Sequence, residues 1–233
     1  MGRQTKGLLY FYITDIRFSL IVFWTVLLSS LFVSMVIDYI LQNVADSFMS
    51  FSLPMALYVY CGILGFITVK QAIPFSIKMG ATRKNVFSSL GIFFLAFSLM
   101  MSLVANSIQS IIEFIHSKMG NETFLFMHIA NLLNDTWLTR VMIDTSLMFF
   151  FLSFFFLLGL TFYNYGLIGG GILTGAIVLF ILAGFAEGWL FEFFIHLYET
   201  LSTVFFWKLI LVTIFIYSIS WVIIRKITII HTR

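Results

Sequence analysis

Six stretches of the chain, residues 18–40, 53–73, 86–112, 141–162, 167–186 and 204–224, are apolar almost without interruption. A bilayer core of ~30 Å is crossed by about 20 helical residues, and each stretch reaches that length. The runs do not alternate apolar with polar as barrel strands do, so helices are the spanning form they predict. Composition closes off the soluble alternative. Apolar residues make up 61% of the 233 positions and charged residues only 10%, against about 25% charged in an ordinary soluble domain. A single soluble core would leave large apolar patches facing water. The expected fold is therefore an all-α membrane protein with six transmembrane helices, forming one domain over residues 1–233.

Charge placement orients the spans. One side collects Arg3, Lys6, Arg17, Lys70, Lys78, Arg83, Lys84, Arg225, Lys226 and Arg233, and the other only Lys118, Arg140 and Lys208. Positive charge gathers on the cytoplasmic side, which puts both termini inside. The small net charge of +3 follows from this asymmetry and does not point to nucleic acid. The first residues lack the short apolar core and cleavage site of a removable signal peptide. Cys61, the single cysteine, excludes an internal disulfide and a cysteine metal site, and reads as a small buried hydrophobe.

The connections differ in character. Residues 1–17 contain a helical pattern, with Lys6, Tyr10, Thr14 and Arg17 on one face and Leu8, Leu9, Tyr12, Ile13 and Ile16 on the other. This pattern predicts an N-terminal interfacial helix at the membrane surface; the plainer reading is a cytoplasmic extension of the first span. Residues 74–86 form the most polar cytoplasmic segment. Pro74 should end or kink the second span, Gly80 allows a tight turn, and Thr82 is placed to cap the following helix. On the outer side, residues 113–138 form the longest loop, with an apolar patch at 124–129. Residues 187–203 carry Glu192, His196 and Glu199 on one face of a helix too short to cross, predicting a re-entrant or interfacial helix before the last span.

Catalytic signatures are missing. The sequence has no phosphate-binding G-x-x-x-x-G-K-[ST] loop and no H-E-x-x-H pair. The histidines, His116, His128, His196 and His231, read as ordinary surface or interfacial side chains, and Glu113 with His116 is too small a set for a metal. The chain is thus expected not to be an enzyme. Asp144 is the charge best placed inside a span, and Arg140, four residues earlier, is positioned to pair with it. The absence of a convincing acid or base at mid-membrane argues against proton coupling. Lys70, near a span end, is placed to snorkel. Gly171 and Gly175 form a G-x-x-x-G pair for close helix packing, within the monomer or between subunits. Two outward-facing sequons begin at Asn121 and Asn134.

The segment Lys78-Met79-Gly80-Ala81-Thr82-Arg83-Lys84-Asn85 resembles the G-[small]-[ST]-R-[KR] loop of bacterial ABC type-2 permeases. Six spans, a helix before the first, a basic loop between the second and third and a short helix before the last resemble the same family across nearly the whole chain. The resemblance implies a permease subunit of an ABC exporter in the bacterial cell membrane. A separate cytoplasmic ATPase would bind the ATP, with no cofactor in this chain. A second copy or a sister permease would complete the pathway. It also implies that a short helix at Gly80–Asn85 docks into the ATPase through Lys78, Gly80, Thr82, Arg83, Lys84 and Asn85. The expected cargo is amphipathic or hydrophobic, such as antimicrobial or cytolytic peptides. The alternatives are the substrate-binding membrane subunit of a vitamin importer and a non-transport sensor or immunity protein.

Overall fold

The computed structural model describes residues 2–41, 48–119 and 124–225. Among them are six α-helices: α1 (Arg3–Leu41), α2 (Leu53–Lys78), α3 (Arg83–Met119), α4 (Trp137–Ala186), α5 (Trp189–Glu199) and α6 (Thr203–Ile224). Five of these, all but α5, are long and apolar enough to cross a membrane. Their outward surfaces are lined by large exposed side chains such as Phe18, Phe32, Leu167, Ile168, Leu211 and Phe215. Water would penalise such a surface, and lipid does not.

Helix α4 is the hub, packing against α2, α3 and α6. Its crossing with α2 depends on two glycines. A β-carbon on Gly65 would stand 2.4 Å from the Leu152 carbonyl oxygen, and one on Gly159 would stand 2.8 Å from the Phe66 carbonyl oxygen. Bare backbone on both helices therefore permits the close approach. Around this contact Leu57, Leu64, Phe94, Leu152, Phe156 and Leu160 form the core. Tyr217 of α6 joins it, stacking on Phe87 of α3 at 4.6 Å between ring centroids and donating its hydroxyl to the Phe87 carbonyl at 2.6 Å.

The fourth and fifth predicted spans are joined in α4, which is 50 residues long and broken in backbone geometry at Gly166. Gly166 has φ 68° and ψ −169°, a conformation that suits glycine. Across the break, a β-carbon on Gly170 would meet the Phe162 ring at 2.3 Å. Eight residues of straight helix span about 12 Å, so this contact reflects a sharp change of direction between the arms 137–165 and 167–186.

Three expectations about the connections need correction. First, residues 4–17 do not form a separate helix: they continue directly into the first span as part of the 39-residue α1. The helix stays continuous because its inner face packs on protein. Leu8 and Tyr12 are buried, Phe11 stacks on Phe75 at 4.2 Å, and Tyr12 shares a 3.2 Å hydrogen bond with Ser76. Second, α2 runs through Pro74 to Lys78 without ending there. Ile73 and Ser76 are fully buried, and this packing outweighs the local cost of proline. Third, the outer loop is shorter than expected, because α3 extends to Met119.

The apolar patch in that loop has its own structure. Phe124–Phe126 (β2) pairs in parallel with Met49–Phe51 (β1), and a 3₁₀ turn follows at Ile129–Leu132. Phe124 and Phe126 are buried while Leu125 faces out, the period-two pattern of a strand. Ladder and turn together make a small cap over the ends of the helices away from the α2–α3 turn. The sequon at Asn121, the cation Lys226, His231 and Arg233 lie outside the described residues.

Candidate functional site

The segment between α2 and α3 is a tight turn with a well-defined origin. Ala81 N–H donates to the Ser76 carbonyl at 3.1 Å and Gly80 N–H to the Ile77 carbonyl at 2.9 Å. This is the Schellman pattern of a helix C-terminus, and Gly80 supplies its left-handed residue at φ 80°. Thr82 then starts α3 as expected: its hydroxyl accepts the Asn85 N–H at 3.3 Å. No separate helix stands at Gly80–Asn85, since residues 79–82 are the turn and Arg83 already begins α3. The turn is too short to hold a helix of its own.

Neighbouring helices hold this turn on two sides. Asn85 donates to the Gln4 side chain of α1 at 2.6 Å. Arg83 donates to the Arg225 carbonyl at the end of α6. That carbonyl belongs to the electronegative end of α6, where a cation is stabilising. Lys78 and Lys84 have exposed side chains. Lys78 complements the C-terminal dipole of α2, whereas Lys84 sits at the positive end of α3, where its charge is locally unfavourable. Among the described residues no acidic side chain forms an ion pair with either lysine. The turn thus presents cations outward while the Arg83 and Asn85 side chains just after it bond to α6 and α1.

A second polar centre lies at the end of the bundle away from the α2–α3 turn. Asp144 of α4 is fully buried. Its Oδ1 accepts the Tyr58 hydroxyl of α2 at 2.6 Å, and its Oδ2 accepts the Asn106 side-chain amide of α3 at 2.7 Å. His128 Nε2 stands 3.2 Å from Oδ1, within electrostatic reach but off the hydrogen-bond direction. Ser102, one turn from Asn106, donates to the Val141 carbonyl at 2.8 Å. Four separate parts of the chain therefore meet at one carboxylate.

The expected Arg140–Asp144 pair does not form. Arg140 instead grips Asp135 with a two-pronged contact and reaches Glu113 of α3 at 2.7 Å. Asp144 lies one turn deeper and faces the bundle. The Arg140 hydrogen bonds hold the Asp135 carboxyl below its ordinary range. His128, read from sequence as a surface side chain, is 7% exposed and belongs to the Asp144 centre. A signal for this centre was present in the sequence: Ser102, Asn106, Gln109 and Glu113 follow one another at spacings of four, three and four, a polar stripe along an apolar helix.

No family profile, curated protein or solved structure matches this chain.

Several apolar cavities lie among the described residues. One, of about 630 Å³, lies between α2 and α4 against Met55, Tyr58, Gly62, Phe66, Phe151 and Phe155. Another, of about 390 Å³, lies between the 3₁₀ turn, α4, α5 and α6, with Leu132, Phe150, Phe194, Tyr198 and Phe205 in its wall. Gly171 and Gly175 have open space where a β-carbon would stand, with no described residue within 4 Å of it. Among the described residues no cluster of three or more histidine, cysteine, aspartate or glutamate side chains is disposed to hold a metal.

Proposed function

We propose that this chain is the membrane-spanning permease subunit of an ABC-type exporter, driven by a separate ATPase on the cytoplasmic side. The observation that carries this reading is the α2–α3 turn. It offers exposed Lys78 and Lys84 to a partner while hydrogen bonds fasten its neighbours to α1 and α6. A displacement of such a turn moves three helices together. A topological anchor needs the positive charge but not this mechanical linkage. Arg83 takes a structural part in this account, and the two lysines take the docking part.

In this reading the two arms of α4 cross separately, making six crossings with both termini in the cytoplasm of a bacterial cell. Helix α5 lies at the outer membrane surface: none of its residues is buried, and Trp189, Phe191, Phe194 and Tyr198 are exposed. The open glycine face of the second α4 arm receives a second copy or a sister permease. The apolar cavities suit amphipathic or hydrophobic cargo, with antimicrobial or cytolytic peptides as the leading class.

The test is reconstitution with the ATPase subunit. Lys78→Glu with Lys84→Glu is expected to abolish stimulated ATP hydrolysis while leaving the permease folded and inserted. Full stimulation by that double variant would overturn the docking role.

A further inference from the structure

We propose that His128 is a proton-operated latch on the 3₁₀ turn Ile129–Leu132, which it caps while the ring is neutral and frees when the ring gains a proton, Asp144 holding the ring in place in both states. The Ala130 backbone N–H can only donate, and it points at His128 Nδ1 at 2.8 Å. Nδ1 must then carry a lone pair, and the ring's one hydrogen sits on Nε2, facing Asp144. In this state the imidazole does two things. It caps the 3₁₀ turn through Nδ1 and stands against the buried carboxylate through Nε2.

A second proton has one place to go. It binds Nδ1, sets an N–H against the Ala130 N–H, and ends the cap. The imidazolium keeps its attraction to Asp144, so the ring stays while the turn loses its first hydrogen bond. The centre also contains an acceptor in waiting: Asn106 Oδ1 is buried with no hydrogen-bond partner among the described residues. The turn is a wall of the second apolar cavity through Ile129 and Leu132, so loosening it alters that cavity. No electron or bond is exchanged; one proton from the outer medium binds and leaves.

The charged and titratable groups around the ring come from several elements. Asp144 faces it from α4 and Tyr58 from α2, while α3 contributes the uncharged Asn106. Asp135, ahead of α4, feels the His128 charge and is itself held by Arg140 beside Glu113. Arg140 holds the Asp135 carboxyl below its ordinary range.

Hydrogen–deuterium exchange on the full chain in detergent tests this without ATPase or cargo, and so independently of the transport reading. Peptides covering residues 124–133 are compared at about pH 8 and about pH 5, on either side of the ordinary imidazole range, after correction for intrinsic exchange. The expected result is roughly fivefold weaker protection at the lower pH, the size of one lost cap. His128→Asn supplies a capping carbonyl that does not titrate, and its protection should be the same at both values. Equal protection of the wild-type peptides at both pH values would overturn the latch. An undiminished pH response in His128→Asn would overturn it as well.

Discussion

Tyr58 on α2 donates its hydroxyl to Asp144 on α4 at 2.6 Å, joining side chains 86 positions apart. The same carboxylate takes the Asn106 amide of α3 at 2.7 Å. Three helices thus share one buried carboxyl group. Removing a donor leaves an acceptor unsatisfied, and removing the carboxyl strands its donors. Tyr58→Phe is expected to lower unfolding stability in detergent by about 1–3 kcal/mol. Asp144→Ala should cost more, about 3–5 kcal/mol. Combining the two should cost less than their sum, because the second change removes an interaction already lost. Strict additivity in a thermal-shift or denaturant series would remove the Tyr58–Asp144 contact from the account.

Glycines supply a contrast that needs no polar chemistry. Gly65→Ala drives a methyl group into the Leu152 carbonyl, which is backbone and cannot swing away. The expected loss is about 1–3 kcal/mol, the usual cost of overpacking. Gly171→Ala meets open space in the monomer and should leave monomer stability the same or slightly raised. Thermal unfolding of the two detergent-solubilised variants decides whether these glycines have different roles.

Ahead of α4, the Asp135–Arg140 contact sets a pH dependence of known sign. Asp135 has its carboxyl depressed in the folded protein by the Arg140 hydrogen bonds. Its contribution is fully present above the unfolded carboxylate value of about 3.9 and is lost as pH falls through the lower folded value. Asp135→Asn should therefore reduce cap stability at neutral pH and flatten its dependence below about pH 4. Between those regions the variant and wild type should run parallel, which separates this contact from the His128 latch. Unfolding midpoints measured against pH provide the comparison.

The helical scaffold was readable from sequence because lipid imposes a simple demand: long apolar runs with every backbone group satisfied internally. Turn chemistry was equally local, and Gly80 and Thr82 did what their neighbours required. What sequence did not reveal were choices made by tertiary packing. Pro74 stays inside α2 because Ser76 is buried and bonded to Tyr12. Asp144 turned away from Arg140 because Tyr58, Asn106 and His128 arrive from distant parts of the chain. An i, i+4 spacing makes two side chains neighbours, but the surrounding helices decide which partners they take.

At the α2–α3 turn, Arg83 and the two lysines have separate parts. Arg83→Gln weakens the contact with the Arg225 carbonyl and should lower thermal stability modestly, by about 1 kcal/mol. Lys84→Gln relieves an unfavourable charge at the start of α3 and should leave stability unchanged or slightly improved. Loss of ATPase coupling in Lys84→Gln, with stability intact, would mark that lysine as a docking residue. The reverse pattern, intact coupling with lowered stability, would place it in the fold instead.

The most direct test of the central claim is site-specific photo-crosslinking in native membranes. A photoreactive side chain replaces Lys84 at the α2–α3 turn, and a control replaces Lys208 near the outer end of α6. The account predicts that position 84 captures a protein whose sequence carries the phosphate-binding loop of an ATPase, and that position 208 does not. Capture of lipid alone at position 84, or of the same ATPase at both positions, would contradict it.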